Sequence, residues 1–179
     1  VNLIDGLDGL SAGVSTIASL SILVIALLRS EDPSIAILCA ALAGGCIGLL
    51  PYNRNPARSF MGDTGATFLG FVLSIISIQG LFKFYTAISF AVPFLILGLP
   101  IFDTFLAVAR RILGGRSPFS SDRGHLHHKL IDMGLNKKQA VATLYSVSAV
   151  LGIVAVLSSV TGSKISWALF FVGVVVIFG

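Results

Sequence analysis

Charge is scarce in this sequence: Asp, Glu, Lys and Arg make up 11% of its 179 residues, against 55% hydrophobic residues and a mean hydropathy of +0.97. An ordinary soluble domain carries about 25% charged residues, so a soluble globular enzyme is excluded. A disordered tail is excluded for the same reason, because it needs high polarity. The net charge of +4 comes from 12 cations spread along the chain rather than from a basic stripe, which excludes a nucleic-acid binder. Cysteine is nearly absent as well. Cys39 and Cys46 lie in one apolar stretch, about 10 Å apart by helical rise, too far to bridge. They read as small packing residues, with no disulfide framework. Nothing in the sequence resembles a cleavable signal peptide, with no basic start and apolar stretches recurring to the end.

What is present is a series of uncharged runs: Ser11–Leu28, Ser34–Leu50, Gly65–Phe82, Phe84–Phe102, Ala140–Val160 and Ile165–Gly179. Five are long enough for a spanning helix, which needs roughly 17–25 residues, and the last is shorter. The expected fold is therefore all-α: one integral membrane domain over residues 1–179, a polytopic transmembrane bundle of about six spans. The sequence opens at Val1 without a methionine and reads as a fragment of a longer chain. Pro93 and Pro100 are expected to bend the fourth run. Gly44, Gly45, Gly48, Gly65, Gly70 and Gly80 are expected to allow close helix packing.

Alternating spans place Val1–Leu10, Pro51–Thr64 and Asp103–Gln139 on one side of the membrane. That side holds nine cations, Arg54, Arg58, Arg110, Arg111, Arg116, Arg123, Lys129, Lys137 and Lys138; the other holds Arg29, Lys83 and Lys164. By the positive-inside rule the first side is cytoplasmic. It also carries all three histidines and six of the eight carboxylates. Gln79 is the one strongly polar residue within the runs, whereas a transporter or channel would place ionisable groups near midspan. The pattern favours chemistry at the membrane surface.

Three polar clusters could carry that chemistry. In Asn2-Leu-Ile-Asp5-Gly-Leu-Asp8-Gly9, the polar residues recur every third position and would share one face of a helical turn. Oxygen donors of this kind suit a hard cation such as Mg²⁺, although Asp near a helix start can also be a plain cap. The second cluster runs from Pro51 to Gly65 and contains Asn53, Arg54, Arg58, Phe60 and Asp63. Asp63 would sit at a helix N-terminus, as a cap or beside a metal-bound phosphate. The arginines suit phosphates or serve as topology anchors, and Phe60 could stack on a base or dip into the lipid interface. The third cluster has Asp103, Arg110 and Arg111, then His125, His127 and His128. Adjacent histidines fit one zinc ion poorly, and histidine among cations suits phosphate or sugar contacts. An ion pair with the nearby arginines is the plain account of Asp103.

The ordered blocks NLIDGLDGLSAG, PYNRNPARSFMGDTGA, PIFDTFLAVARR and DRGHLHHKL resemble the polyprenyl-phosphate N-acetylhexosamine-1-phosphate transferases of bacterial membranes. The branch that starts teichoic-acid or O-antigen synthesis with UDP-GlcNAc is the nearer one; the phospho-MurNAc-pentapeptide translocase is a cousin. The resemblance implies transfer of a sugar-1-phosphate from a UDP-N-acetylhexosamine to undecaprenyl phosphate, with release of UMP. It implies Mg²⁺, with Mn²⁺ as its substitute, in the cytoplasmic membrane of a bacterium; a homodimer is open. By the same resemblance Asp63 is the metal aspartate, with Asn2 or Asp5 sharing the ion and Asp5, Asp8 and Asp63 catalytic. Asn53 and Phe60 are the asparagine and the uracil-stacking aromatic of the family's substrate site. Arg110, Arg111, His125, His127 and His128 lie on its sugar-phosphate side. The family's earlier aspartate-rich block (DDxxD) is not in this sequence, so activity is expected of a longer parent chain and not of this stretch alone. The competing expectations are the same chemistry on another UDP-sugar, a transporter, or an inactive membrane scaffold.

Overall fold

A computed structural model describes residues 1–29, 33–81, 87–115, 117, 125–161, 165–166, 168, 171–173 and 175. A 3-10 turn at Asn2–Ile4 precedes α1 (Leu10–Leu28), α2 (Pro33–Asn53), α3 (Gly62–Leu81), α4 (Ala87–Ile96), α5 (Gly98–Leu113), α6 (Leu126–Asp132) and α7 (Lys137–Val160). No strand occurs among the described residues. The all-α expectation holds, and three helices there (α1, α2 and α7) are long and apolar enough to cross a membrane. At 1.5 Å per residue they span about 28 to 36 Å, against about 30 Å for the bilayer core. The 20-residue α3 covers the third uncharged run. The run from Ile165 is described only at scattered positions, and Lys83, Arg116, Asp122, Arg123 and Lys164 lie outside the described residues.

Within the described part of the fourth run, two helices follow each other, α4 and α5. They join at Leu97, whose N–H donates to the carbonyl of Pro93 (2.9 Å) while its own carbonyl accepts from Ile101 (3.0 Å). Pro100 has no N–H for the carbonyl of Ile96, so the regular ladder cannot pass this point. The bend expected from the prolines is thus a break.

The central helix is α1, packed against α2 on one side and α7 on the other, and touching α3. Ser11, Ser15 and Ser19, one turn apart, are all buried on it. The hydroxyls of Thr16, Ser19 and Ser21 donate to carbonyls four residues earlier, at 2.7 to 2.8 Å. Side chains that are small and satisfied within their own helix let neighbouring backbones come close. Two glycines use this on the α1–α7 seam: a Cβ at Gly13 would overlap the Tyr145 ring, and one at Gly152 would overlap the Ser21 hydroxyl.

The α2 glycines behave differently from expectation. Gly44, Gly45 and Gly48 have open space beside them, because α2 buries the face formed by Ile35, Cys39, Leu42, Ala43 and Cys46. Cys39 and Cys46 are free, buried thiols on that face, as packing residues should be. Gly152→Leu is expected to wedge α1 from α7, at an overpacking cost of about 1–3 kcal/mol. A thermal unfolding scan of the full-length protein in detergent would show a clearly lower midpoint; an unchanged midpoint would contradict the close seam.

Candidate active site at one end of the bundle

The three polar clusters meet at one end of the bundle. A small core of Ile4, Leu7, Leu10, Val14, Leu99, Ala140 and Leu144 holds them there, with Leu126, Leu130 and Ile131 of the α6 region packed against it. The α7 start is fixed by a reciprocal cap: Gln139 N–H donates to Asn136 Oδ1 (2.9 Å) and Asn136 N–H to Gln139 Oε1 (3.0 Å).

The acidic segment does not present its carboxylates on one face. Only Asn2–Ile4 is helical, and the chain turns through Asp5 to Gly9, where φ is +81°, a conformation that suits glycine. Asp5 Oδ1 accepts from the Ser11 hydroxyl (2.5 Å), and that hydroxyl also lies 3.2 Å from Met61 Sδ. Asp8 Oδ2 instead accepts from Asn55 Nδ2 (2.9 Å) and Ala57 N–H (3.2 Å). Asn2 is exposed. The peptide of Gly9 is gripped from both sides. Its N–H donates to Asn53 Oδ1 (3.1 Å), and its carbonyl accepts from the Tyr145 hydroxyl (2.5 Å). Asn53, only 3% exposed, also donates from Nδ2 to the Ser59 carbonyl (2.9 Å), which ties the second cluster to the first.

Asp63 lies in the first turn of α3, exposed, after Gly62 at φ +68°. Phe60 is 74% exposed and forms one wall of an apolar groove of about 550 Å³ between α2 and α3, with Met61, Gly65 and Phe68. Its ring is accessible for a base or for an apolar chain. Arg54 and Arg58 line a different cleft, on the α7 side.

The histidine segment is docked through Asp103, which is 2% exposed. His125 Nδ1–H donates to Asp103 Oδ2 (2.8 Å), and Leu126 N–H donates to Asp103 Oδ1 (2.7 Å) at the start of α6. Asp103 therefore caps and orients the histidine helix, a partnership the nearby arginines did not suggest. The His125 and His127 rings stack at 5.8 Å, and His127 and His128 lie 4.2 Å apart. His127 is seated against Gly6, where a Cβ would overlap its ring. Arg110 and Arg111 occupy the last turn of α5, with Arg111 buried.

Ser11, Asn55, Tyr145 and the capping role of Asp103 were not singled out from the sequence. Two of them carry a signal: a carboxyl in an apolar run and a tyrosine within a span each need a polar partner when buried.

Burial raises the Asp5 pKa; the Ser11 hydrogen bond opposes this and the Asp63 charge adds to it. Two carboxylates that repel each other form a setting that a divalent cation would relieve. Among the described residues no three His, Cys, Asp or Glu side chains converge on one ion. Carboxylate oxygens are the donor type a hard divalent cation would take, and Asp5 and Asp63 would be the residues to offer them. His127 is pushed down to about 4, mainly by burial and then by His128, with Asp103 opposing. It is a neutral ring at pH 7.

Fold and site together define a helical membrane protein with acidic, amide and imidazole groups gathered at one end. Residues 1–81 match the family described as Glycosyl transferase family 4. The chain is 42% identical over 179 residues to a Bacillus subtilis (strain 168) protein named "Probable undecaprenyl-phosphate N-acetylglucosaminyl 1-phosphate transferase", covering 99% of the chain and 49% of that protein. It is 36% identical over 163 residues to the Mycobacterium leprae decaprenyl-phosphate N-acetylglucosaminephosphotransferase, covering 81% of the chain and 41% of the relative. A phospho-N-acetylmuramoyl-pentapeptide-transferase of Nostoc punctiforme is 35% identical over 157 residues, 84% of the chain and 41% of the relative. The first 81 residues thus match glycosyl transferase family 4, and the chain spans about half the length of the curated relatives it matches.

The buried His127 gives a pH prediction. The unfolded chain takes up this proton near pH 6.5, the folded chain only near 4. Between those values the unfolded state binds more protons, so the stability contributed by the neutral ring falls as pH drops from 6.5 toward 4. His127→Gln is expected to lose less thermal stability than wild type between pH 7 and pH 5. Equal losses would contradict the burial of a neutral ring.

Proposed function

We propose that this chain carries part of the active site of a membrane enzyme that transfers N-acetylglucosamine-1-phosphate from UDP-GlcNAc to undecaprenyl phosphate. UMP is released, and the product is the first lipid-linked sugar of a bacterial cell-wall or surface polysaccharide. The observation that carries this reading is the gathering of the three polar clusters at one end of the bundle, where the Gly9 peptide joins the acidic turn to Asn53 and Tyr145 and the Asp63 charge is felt at Asp5. It is supported by the relative with the GlcNAc-1-phosphate name that aligns over 99% of the chain. The excess of cations on the site side, nine against three, supports a cytosol-facing site in the bacterial plasma membrane.

In this scheme an oxygen of the lipid phosphate attacks the phosphorus that bears the sugar. One P–O bond forms as the bond to UMP breaks, and an already ionised phosphate needs no proton removed. Positioning and charge neutralisation therefore dominate. Asp5 and Asp63 would hold Mg²⁺ (or Mn²⁺), with exposed Asn2 as a further oxygen donor. When bound, the ion neutralises the diphosphate and the charge that develops on the UMP oxygen. Asp8, through Asn55 and Ala57, keeps the acidic turn ordered beside them. Phe60, three residues before Asp63, is the accessible aromatic for uracil. His125, oriented by Asp103, together with neutral His127 and with His128, offers hydrogen bonds to the sugar-phosphate. Arg110 and Arg111 add positive charge at the end of α5. The acceptor arrives from the bilayer and the nucleotide from water.

The test is UMP release by the purified full-length protein. Release is expected only with UDP-GlcNAc, undecaprenyl phosphate and Mg²⁺ together, and EDTA should stop it. Asp63→Asn should cut turnover by about 10²-fold or more while membrane insertion is unchanged. Near-normal turnover of that variant would remove Asp63 from the metal site. Release with UDP-MurNAc-pentapeptide and not UDP-GlcNAc would reassign the donor.

A further inference from the structure

Away from the carboxylate pair lies a second polar concavity that the proposed chemistry leaves unused. It is a cleft of about 620 Å³ between the C-terminal end of α2, the loop after it, and the first turns of α7. Arg54, Arg58 and Lys138 line it, together with Asp8, Asn55 and Tyr145. None of the three cations makes an ion pair among the described residues. The one carboxylate in the wall, Asp8, is already held by Asn55 and Ala57, and the Tyr145 hydroxyl is committed to Gly9. Three unpaired cations against one engaged carboxylate leave the cleft positive, a field that an anion would relieve.

Two further features narrow the anion. Backbone bonds from Arg54 N–H to the Leu50 carbonyl (3.0 Å) and from Arg58 N–H to the Tyr52 carbonyl (2.7 Å) anchor both arginines. These bonds fix the main chain at both arginines, whose exposed guanidinium groups match phosphate oxygens in charge. The other wall is apolar, made of Pro51, Pro56, Val141 and Ala142. Pro51 and Val141 belong to α2 and α7, both of membrane-crossing length, so this apolar wall stands at the ends of two helices able to span. A phosphate at the rim of two spanning helices, with an apolar wall leading into the membrane, is the environment of a phospholipid headgroup.

We infer that this cleft binds the phosphate of an anionic phospholipid at the membrane surface, with the glycerol and upper acyl chains against Pro51, Val141 and Ala142. The site is separate from the Asp5–Asp63 pair and does not depend on the transfer reaction proposed above. It would tie the α2–α7 rim, and through Tyr145 the Gly9 turn, to the charge of the surrounding bilayer.

The experiment is native mass spectrometry of the full-length protein released from detergent with dioleoylphosphatidylglycerol or dioleoylphosphatidylcholine. Wild type is expected to retain phosphatidylglycerol several-fold more often than phosphatidylcholine. The combined variant Arg54→Gln, Arg58→Gln, Lys138→Gln should lose that preference, and Arg54→Lys, Arg58→Lys should keep most of it, which separates charge from misfolding. Millimolar glycerol phosphate or inorganic phosphate should not displace the lipid. Displacement by either would overturn the lipid assignment in favour of a free phosphate. Equal retention of the two lipids, or a triple Gln variant that keeps the preference, would overturn the site. Loss of UDP-GlcNAc binding in the triple variant, with the lipid preference intact, would assign the cleft to the nucleotide instead.

Discussion

The peptide of Gly9 is the joint on which the candidate site depends. Asn53 at the end of α2 accepts from its N–H, and Tyr145 on α7 donates to its carbonyl, so three segments far apart in sequence meet at one residue. The carbonyl also accepts from Gly13 N–H (2.9 Å) and so opens α1. Each partner is placed by something else: Asn53 by the Ser59 carbonyl, Tyr145 by the missing side chain of Gly13. A polar peptide at the mouth of a membrane bundle must have its hydrogen bonds met by protein or by water. Meeting them here also fixes where the acidic turn stands, and with it where Asp5 lies relative to Asp63.

The same economy runs through α1. A central membrane helix must be apolar overall yet let two neighbours approach, and Thr16, Ser19 and Ser21 do both by bonding their own backbone. A second, smaller core beneath the polar end carries α6, so the histidine segment is held by Leu126, Leu130 and Ile131 as much as by Asp103. The polar groups thus stand on a packed base. Preorganisation of this kind is what phosphoryl transfer asks of a protein, since the reacting atoms come from the substrates.

Much of this was legible in the residues. The uncharged runs marked α1, α2, α3 and α7, and the two prolines marked the break at Leu97. The ordered blocks marked the family. Three features were not legible, for different physical reasons. Spacing of three suggested that Asp5 and Asp8 share a face, but the turn ends after Ile4 and the two carboxylates go to Ser11 and Asn55. Asp103 pairs with His125, 22 positions on, and Tyr145 with Gly9, 136 positions away, and no local pattern encodes such distances. The α2 glycines looked like packing sites, yet which face of a uniformly apolar helix is buried depends on neighbours that its own sequence does not name.

The most direct measurement is the Mn²⁺ affinity of the full-length protein, read by electron paramagnetic resonance, in wild type, Asn53→Ala, Tyr145→Phe and the double variant. If the Gly9 joint positions Asp5 beside Asp63, each single variant weakens Mn²⁺ binding although neither side chain is a ligand. The double variant then loses less than the sum of the two, because both grip one peptide. Wild-type affinity in all three variants, in protein shown to be folded, would contradict the account.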